Sequence, residues 1–211
     1  MRINNYHILI IIFAALLSVF SNFGYNFEIV RHFTFIDFRT SGSYLEFFTF
    51  DDTYLVNNEW WRLISPIFIH FSLTHLAFNC LWIYILGSRI ELLDGKLLFL
   101  LLVIFSGVLS NFAQYTWEGI SLFGGLSGIV YGLLGFCFLM ELDNRQARYG
   151  LPPAIYIFMV AWLLLGFMGV LELFGFGSIA NYAHLGGLIS GLIFGMLTKL
   201  IQTMRQNETS S

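Results

Sequence analysis

Charge is scarce in this chain. Asp, Glu, Lys and Arg make up 11% of its 211 residues, against about 25% in an ordinary soluble domain, and a water-facing surface of normal size cannot be built from so few. The net charge of −3 rests on groups that cluster between apolar runs, and nothing in their arrangement suggests a nucleic-acid partner. Cysteine is nearly absent too. Cys80 and Cys137 are the two present, each inside an apolar run with no second cysteine nearby; that excludes a disulfide framework and leaves buried, inert thiols. His, Asp and Glu do not gather in the tight cluster a metal needs, so no metal and no cofactor is implied.

What is present is apolar. Hydrophobic residues are 57% of the chain and the mean hydropathy is +0.75. Several runs reach the roughly 18 residues needed to cross a bilayer core of about 30 Å. These features predict an all-α polytopic membrane protein in which residues 1–211 form a single domain.

In chain order, His7 to Phe23 resembles a signal peptide with Arg2 as a thin positive flank, but no small-x-small cleavage pattern follows, so a retained first helix is expected. Residues 24–62 form a long first loop, too polar to span and too aromatic to be a free linker. Such a loop carries short structure of its own, and its Phe and Tyr suit half-immersion at the lipid headgroups. Trp60-Trp61-Arg62 marks an interface, and a second span is expected over 63–87, carrying His70, His75 and Asn79. Pro66 at its head is tolerated because first-turn amides lack helix partners. A charged turn, Gly87 to Lys96, leads to a third span over 97–115.

The fourth run, 127–142, is the odd one: its 16 residues cover only about 24 Å at about 1.5 Å each, less than the hydrocarbon thickness. The helix therefore starts below the membrane surface, and the loop before it must dip inward. Irregular backbone at that depth is allowed only where protein or trapped water satisfies it, which favours a cavity there. A polar turn, Asp143 to Gly150, precedes a fifth helix over 153–173. The connection Phe174 to Tyr182 leads to a sixth over 183–201 and a polar tail, Gln202 to Ser211. Six spans put both termini on one side. Seven basic residues (Arg2, Arg89, Lys96, Arg145, Arg148, Lys199, Arg205) then share the side of the termini and three (Arg31, Arg39, Arg62) the other, which makes the termini cytoplasmic. Ser127 and His184 fall at the outward ends of their helices.

The chemistry centres on Phe123-Gly124-Gly125-Leu126-Ser127-Gly128 and Ala183-His184-Leu185-Gly186-Gly187. His184, Gly187, Gly191 and Gly195 follow one another at offsets of three and four, as do Gly128, Gly132 and Gly135. Small residues at that spacing let two membrane helices approach closely. Packing alone would explain the glycines; the further consequence is that it brings His184 within reach of Ser127. A serine hydroxyl is a poor nucleophile until a base takes its proton, and a neutral histidine can do so. The acidic residues offer no third member: Glu141 and Asp143 lie at the other end of the fourth helix, Glu118 in a loop and Glu172 at the end of the fifth helix. A two-residue dyad is therefore expected, with Tyr131, one turn below Ser127, packing on the imidazole. His75 and Asn79, at i and i+4, share a helix face, and with the Ser127 N–H at a helix N-terminus they could stabilise an oxyanion. Each alone would be ordinary interhelical glue. His70, five residues before His75, is expected to face elsewhere and be structural.

These residues resemble the rhomboid intramembrane serine proteases, and among them the bacterial form with a six-helix core. The likeness lies in Trp61-Arg62, in His70-Phe71-Ser72-Leu73-x-His75-x-x-Phe78-Asn79, in Gly125-Leu126-Ser127-Gly128 with Tyr131, and in Ala183-His184-x-x-Gly187-x-x-x-Gly191. Four separated motifs in order are far more specific than a lone Gly-x-Ser-Gly. The resemblance implies Ser127 as nucleophile, His184 as base, His75, Asn79 and the Ser127 amide as oxyanion hole, and Gly125, Gly128, Gly187 and Gly191 as support. It also implies a first loop lying in the membrane face, substrate admission by the fifth helix and the cap that follows, and substrates that are single-span membrane proteins with small residues beside the cut. It places the protein in a bacterial inner membrane among lipids. Six residues precede the first helix, so the soluble cytoplasmic domain of some relatives is not expected, and the lack of a seventh span argues against the larger eukaryotic forms.

Two rival functions are weighed. A catalytically silent client-binding member of the same fold would lack the serine or the histidine, and both are here. A small-solute transporter would show an internal repeat, and the His-x-x-x-Asn helix has no counterpart in the second half.

Overall fold

The computed structural model describes residues 5–42, 44–142, 148–173 and 179–210. Its frame is helical: α1 (Tyr6–Phe20), α3 (Leu73–Leu93), α4 (Lys96–Glu118), α5 (Ser127–Glu141), α6 (Pro153–Phe167) and α8 (Asn181–Ser210), with one-turn helices α2 (Phe27–Val30) and α7 (Val170–Leu173). A two-stranded hairpin, β1 (Phe38–Ser41) and β2 (Tyr44–Phe47), adds a small departure from an all-α chain. Three helices, α3, α4 and α8, are long and apolar enough to cross a membrane; α1, α5 and α6 are shorter apolar helices.

α5 is the axis of the packing. Gly128 to Cys137 are all buried, as expected of a helix that is apolar on every side. α8 lies along it at backbone contact. A Cβ on Gly187 would strike the Gly128 carbonyl oxygen, one on Gly191 the Gly132 carbonyl oxygen, and one on Gly135 would come 2.5 Å from the Leu188 carbonyl oxygen. On the α4 side, Ser106 and Ser110 occupy the space left by Gly132 and Gly128. The stripe of small residues thus becomes a three-helix seam.

The helix bounds differ from the sequence expectation where tertiary contacts compete with local pattern. The second long helix begins at Leu73 rather than at Leu63. Two short turns, Trp60–Leu63 and Ser65–Phe68, precede it, with Pro66 in the second, and Ser72 caps the helix by accepting from the His75 N–H at 3.1 Å. The same helix runs on to Leu93, so the charged turn shrinks to Asp94 and Gly95, the latter at φ +94°. Gly87 is internal to it and leaves room for His7 and Phe99. The expected third span, α4, extends to Glu118, which therefore lies on a helix and not in a loop, and Gly119 at φ +82° ends it. α6 stops at Phe167, with Gly169 at φ +71° before α7, and α8 carries the expected polar tail as helix to Ser210. Within the turn at 143–150 and the cap at 174–182, residues 143–147 and 174–178 lie outside those described.

The first loop is a folded unit. Arg62, 1% exposed, binds Asp37 at 3.0 Å and Glu59 at 2.6 Å and donates to the carbonyls of Arg31 and Thr34. Arg31 holds the other Asp37 oxygen at 3.2 Å. Such a buried guanidinium needs this many acceptors to offset its lost hydration. The loop is tied to the bundle by Asn111 Nδ2, which donates to the Leu63 carbonyl at 2.9 Å, and by Ser65 Oγ to the Phe33 carbonyl at 3.1 Å.

Candidate active site

Ser127 is the first residue of α5, so its N–H and the next two have no partner within the helix. The loop that delivers it is clamped from outside. The Gly125 N–H donates to the Pro66 carbonyl at 3.0 Å, and a Cβ on Gly124 would sit 2.7 Å from that same oxygen. The Leu126 N–H donates to His70 Nε2 at 3.4 Å, while His70 Nδ1 stands 3.2 Å from the Phe68 carbonyl. The two bonds together require a neutral ring with its proton on Nδ1.

His184, in the first turn of α8, comes to Ser127 across 57 residues of sequence: its Nε2 lies 2.8 Å from Ser127 Oγ. The Tyr131 ring stacks on the imidazole with centroids 4.8 Å apart and planes at 28°, and the Tyr131 hydroxyl donates to the Met159 carbonyl at 2.9 Å. The tyrosine thus fixes one face of the histidine and ties it to α6. Among the described residues no carboxylate bonds the imidazole. Gln114 instead holds the chain beside it, accepting from the Ala183 N–H at 3.0 Å.

The third group stands on α3. Gly125, at φ +119°, places its α-carbon against His75 and Asn79: a Cβ there would be 2.7 Å from His75 Cε1, 2.8 Å from Nε2 and 3.4 Å from Asn79 Nδ2. Asn79 is 2% exposed and its Nδ2 has no hydrogen-bond partner among the described residues. An unpaired amide donor in so dry a place costs about 1–3 kcal/mol, and it is free to donate to a ligand oxygen.

Ser127, His184, Tyr131, His75, Asn79 and Gln114 line one cavity of about 890 Å³, whose other walls are mostly apolar groups of α3, with Met159 and Trp162 of α6 and the loop before Ser127. Ser127, His184, His75, Asn79 and Tyr131 therefore meet here, Gly125 packs against His75 and Asn79, and Gly128, Gly187 and Gly191 lie in the seam that brings α8 to α5. One expectation is corrected: His70 does not face away from the site. Its ring lies 5.0 Å from that of His75 and supports the Ser127 loop. Gln114 was not singled out at all, since a lone Gln on an apolar helix carries no spacing signal; its role comes from meeting α8.

A family model, the rhomboid domain, matches residues 57–200. Among curated proteins, the chain is 41% identical over 133 residues to the rhomboid protease GlpG of Serratia proteamaculans and, to the same degree, to that of Yersinia pestis. The match takes in 63% of this chain and 46% of each relative, so the chain spans about half the length of the relatives it matches. With the apolar helices above, these matches make it an integral membrane protein, and the chain belongs to the rhomboid family.

Proposed function

We propose that the protein is an intramembrane serine endopeptidase that cuts the transmembrane segments of single-span membrane proteins. The observation that carries this reading is the 2.8 Å contact of His184 Nε2 with Ser127 Oγ, both lining the cavity. His184 Nε2 takes the hydroxyl proton as Oγ attacks the substrate carbonyl carbon, and the carbonyl π electrons move onto oxygen. That oxyanion is met by Asn79 Nδ2, by His75 and by the Ser127 N–H, donors that strengthen as charge develops; the unpartnered Asn79 Nδ2 supports this reading. The proton then passes from His184 to the departing amine as the C–N bond breaks, leaving an acyl-enzyme. Water, activated by the same histidine, releases the acid and restores Ser127. Tyr131 holds the imidazole in register, Gly125 leaves room for the oxyanion donors, and Gly128, Gly187 and Gly191 set the distance between the two helices.

The reading extends to the whole chain. Residues 1–211 form a single six-span domain, with α1, α5 and α6 completing the set and the first loop resting in the membrane face. It sits in a bacterial inner membrane with both termini cytoplasmic and the cavity open to the extracytoplasmic side, in keeping with the seven-to-three division of basic residues. At 15 residues, α5 measures about 22 Å, which keeps Ser127 below the surface.

Covalent labelling tests the reading. A fluorophosphonate should modify the wild type on Ser127 and leave Ser127→Ala unmodified. Labelling that persists in Ser127→Ala would move the nucleophile elsewhere. Failure of the folded wild type to label or to cut, while it still binds membrane helices, would favour client binding.

A further inference from the structure

Glu118 is the one carboxylate among the described residues lining the cavity, and no Lys or Arg lines it. It stands in an awkward place: it is the last residue of α4, where the helix macrodipole is negative and a cation would be favoured. Nothing in the described part of the chain neutralises it, because it takes part in none of the ion pairs there. Yet it is held in position. Gln114 Nε2 donates to Glu118 Oε2 at 2.5 Å, and the same side chain's Oε1 accepts from the Ala183 N–H next to His184. Glu118 is exposed, and its second carboxylate oxygen takes no hydrogen bond among the described residues.

Its distance from the chemistry follows from the seam. Ser110 Oγ lies 2.5 Å from where a Cβ on Gly128 would be, so Ser110 is level with the start of α5. The α-carbon of Glu118 is eight residues further along α4, about 12 Å outward at about 1.5 Å per residue, and its carboxylate, drawn back to Gln114, lies no further out than that. An extended substrate covers that distance in about three or four residues.

We infer that Glu118 is a specificity-determining residue that selects substrates carrying Lys or Arg three or four residues from the cleaved bond. The inference rests on the protease reading above and adds to it the charge of the substrate. The ammonium or guanidinium meets the open carboxylate oxygen at the cavity rim, while the apolar walls of α3 and α6 take the membrane segment. The interaction orders the substrate next to Ser127 and supplies the cation that the end of α4 lacks.

The test is a reporter series in liposomes. A single Lys is walked through six positions on each side of the cut, each paired with Gln at the same position, and the kcat/KM ratio within each pair is read. Taking the ratio within one enzyme variant cancels any general loss of activity. The wild type should show one maximum, three or four residues from the cut on one side, of about three- to fivefold, the size of a well-placed exposed ion pair. Glu118→Gln should bring that ratio to about one, and Glu118→Lys should favour Glu over Gln at the same position. Cleavage by the wild type without a Lys maximum, or the same maximum in Glu118→Lys, would overturn the inference while leaving the protease reading intact. A wild type that cuts no member of the series would overturn both.

Discussion

His184 Nε2 and Ser127 Oγ are 2.8 Å apart because the backbones of α5 and α8 touch beside them, at Gly128 and Gly187. The contact between Gly187 and the Gly128 carbonyl, repeated at Gly191 and Gly132, sets the spacing of the two helices. The site's geometry is thus a property of the seam as much as of the two side chains.

Gly191→Ala should therefore act on both stability and catalysis. The new methyl meets a backbone carbonyl that cannot move aside without separating the helices, and such overpacking costs about 1–3 kcal/mol. Denaturant titration in mixed micelles should register that loss, with a parallel fall in fluorophosphonate labelling. Gly195→Ala is the control: its methyl meets the Leu139 side chain at 3.0 Å, which can rotate, and a much smaller effect is expected.

Gly125→Ala should separate chemistry from folding. The residue sits at φ +119° with His75 and Asn79 against its α-carbon, so an added methyl displaces the two proposed oxyanion donors. Loss of one such donor costs about 10²–10³ in kcat. A fall of that order, with KM little changed and the protein still folded by circular dichroism, is the expected outcome. Activity within twofold of wild type would remove His75 and Asn79 from the mechanism.

Arg62→Met should release the first loop. The substitution leaves Asp37 with Arg31 alone and Glu59 without its buried partner, and breaking such a buried pair costs up to about 3–5 kcal/mol. Hydrogen exchange should rise over residues 31–59 well before it rises in α5, because the seam does not depend on this network.

A chelator should leave cleavage unchanged. Among the described residues no three His, Cys, Asp or Glu side chains are grouped to hold an ion, and the proposed serine mechanism needs none. Strong inhibition reversed by added metal would refute that mechanism.

The seam and the site were legible because both have local periodicity. Glycines at offsets of three and four announce a helix contact, and His75 with Asn79 at i and i+4 share a face whatever surrounds them. The elements that escaped depend on partners far away in sequence. The run from Leu63 is apolar enough to begin a helix, but Asn111 takes the Leu63 carbonyl and the Gly125 N–H takes that of Pro66, so the helix waits for the Ser72 cap. The pairing of Arg62 with Asp37, 25 positions away, leaves no repeat to find. His70 illustrates the same limit: its spacing from His75 says nothing of the loop at Leu126 that it supports.

The central claim is that Ser127 and His184 together cut a membrane helix. It is tested most directly by purifying the wild type, Ser127→Ala and His184→Ala, reconstituting each in liposomes with a fluorogenic single-span reporter, and measuring cleavage. The account predicts that the wild type cuts and that each variant loses about 10³-fold or more, with the double variant no worse than either single one, since the two groups act as a unit. Cleavage by folded Ser127→Ala at the wild-type rate would contradict it.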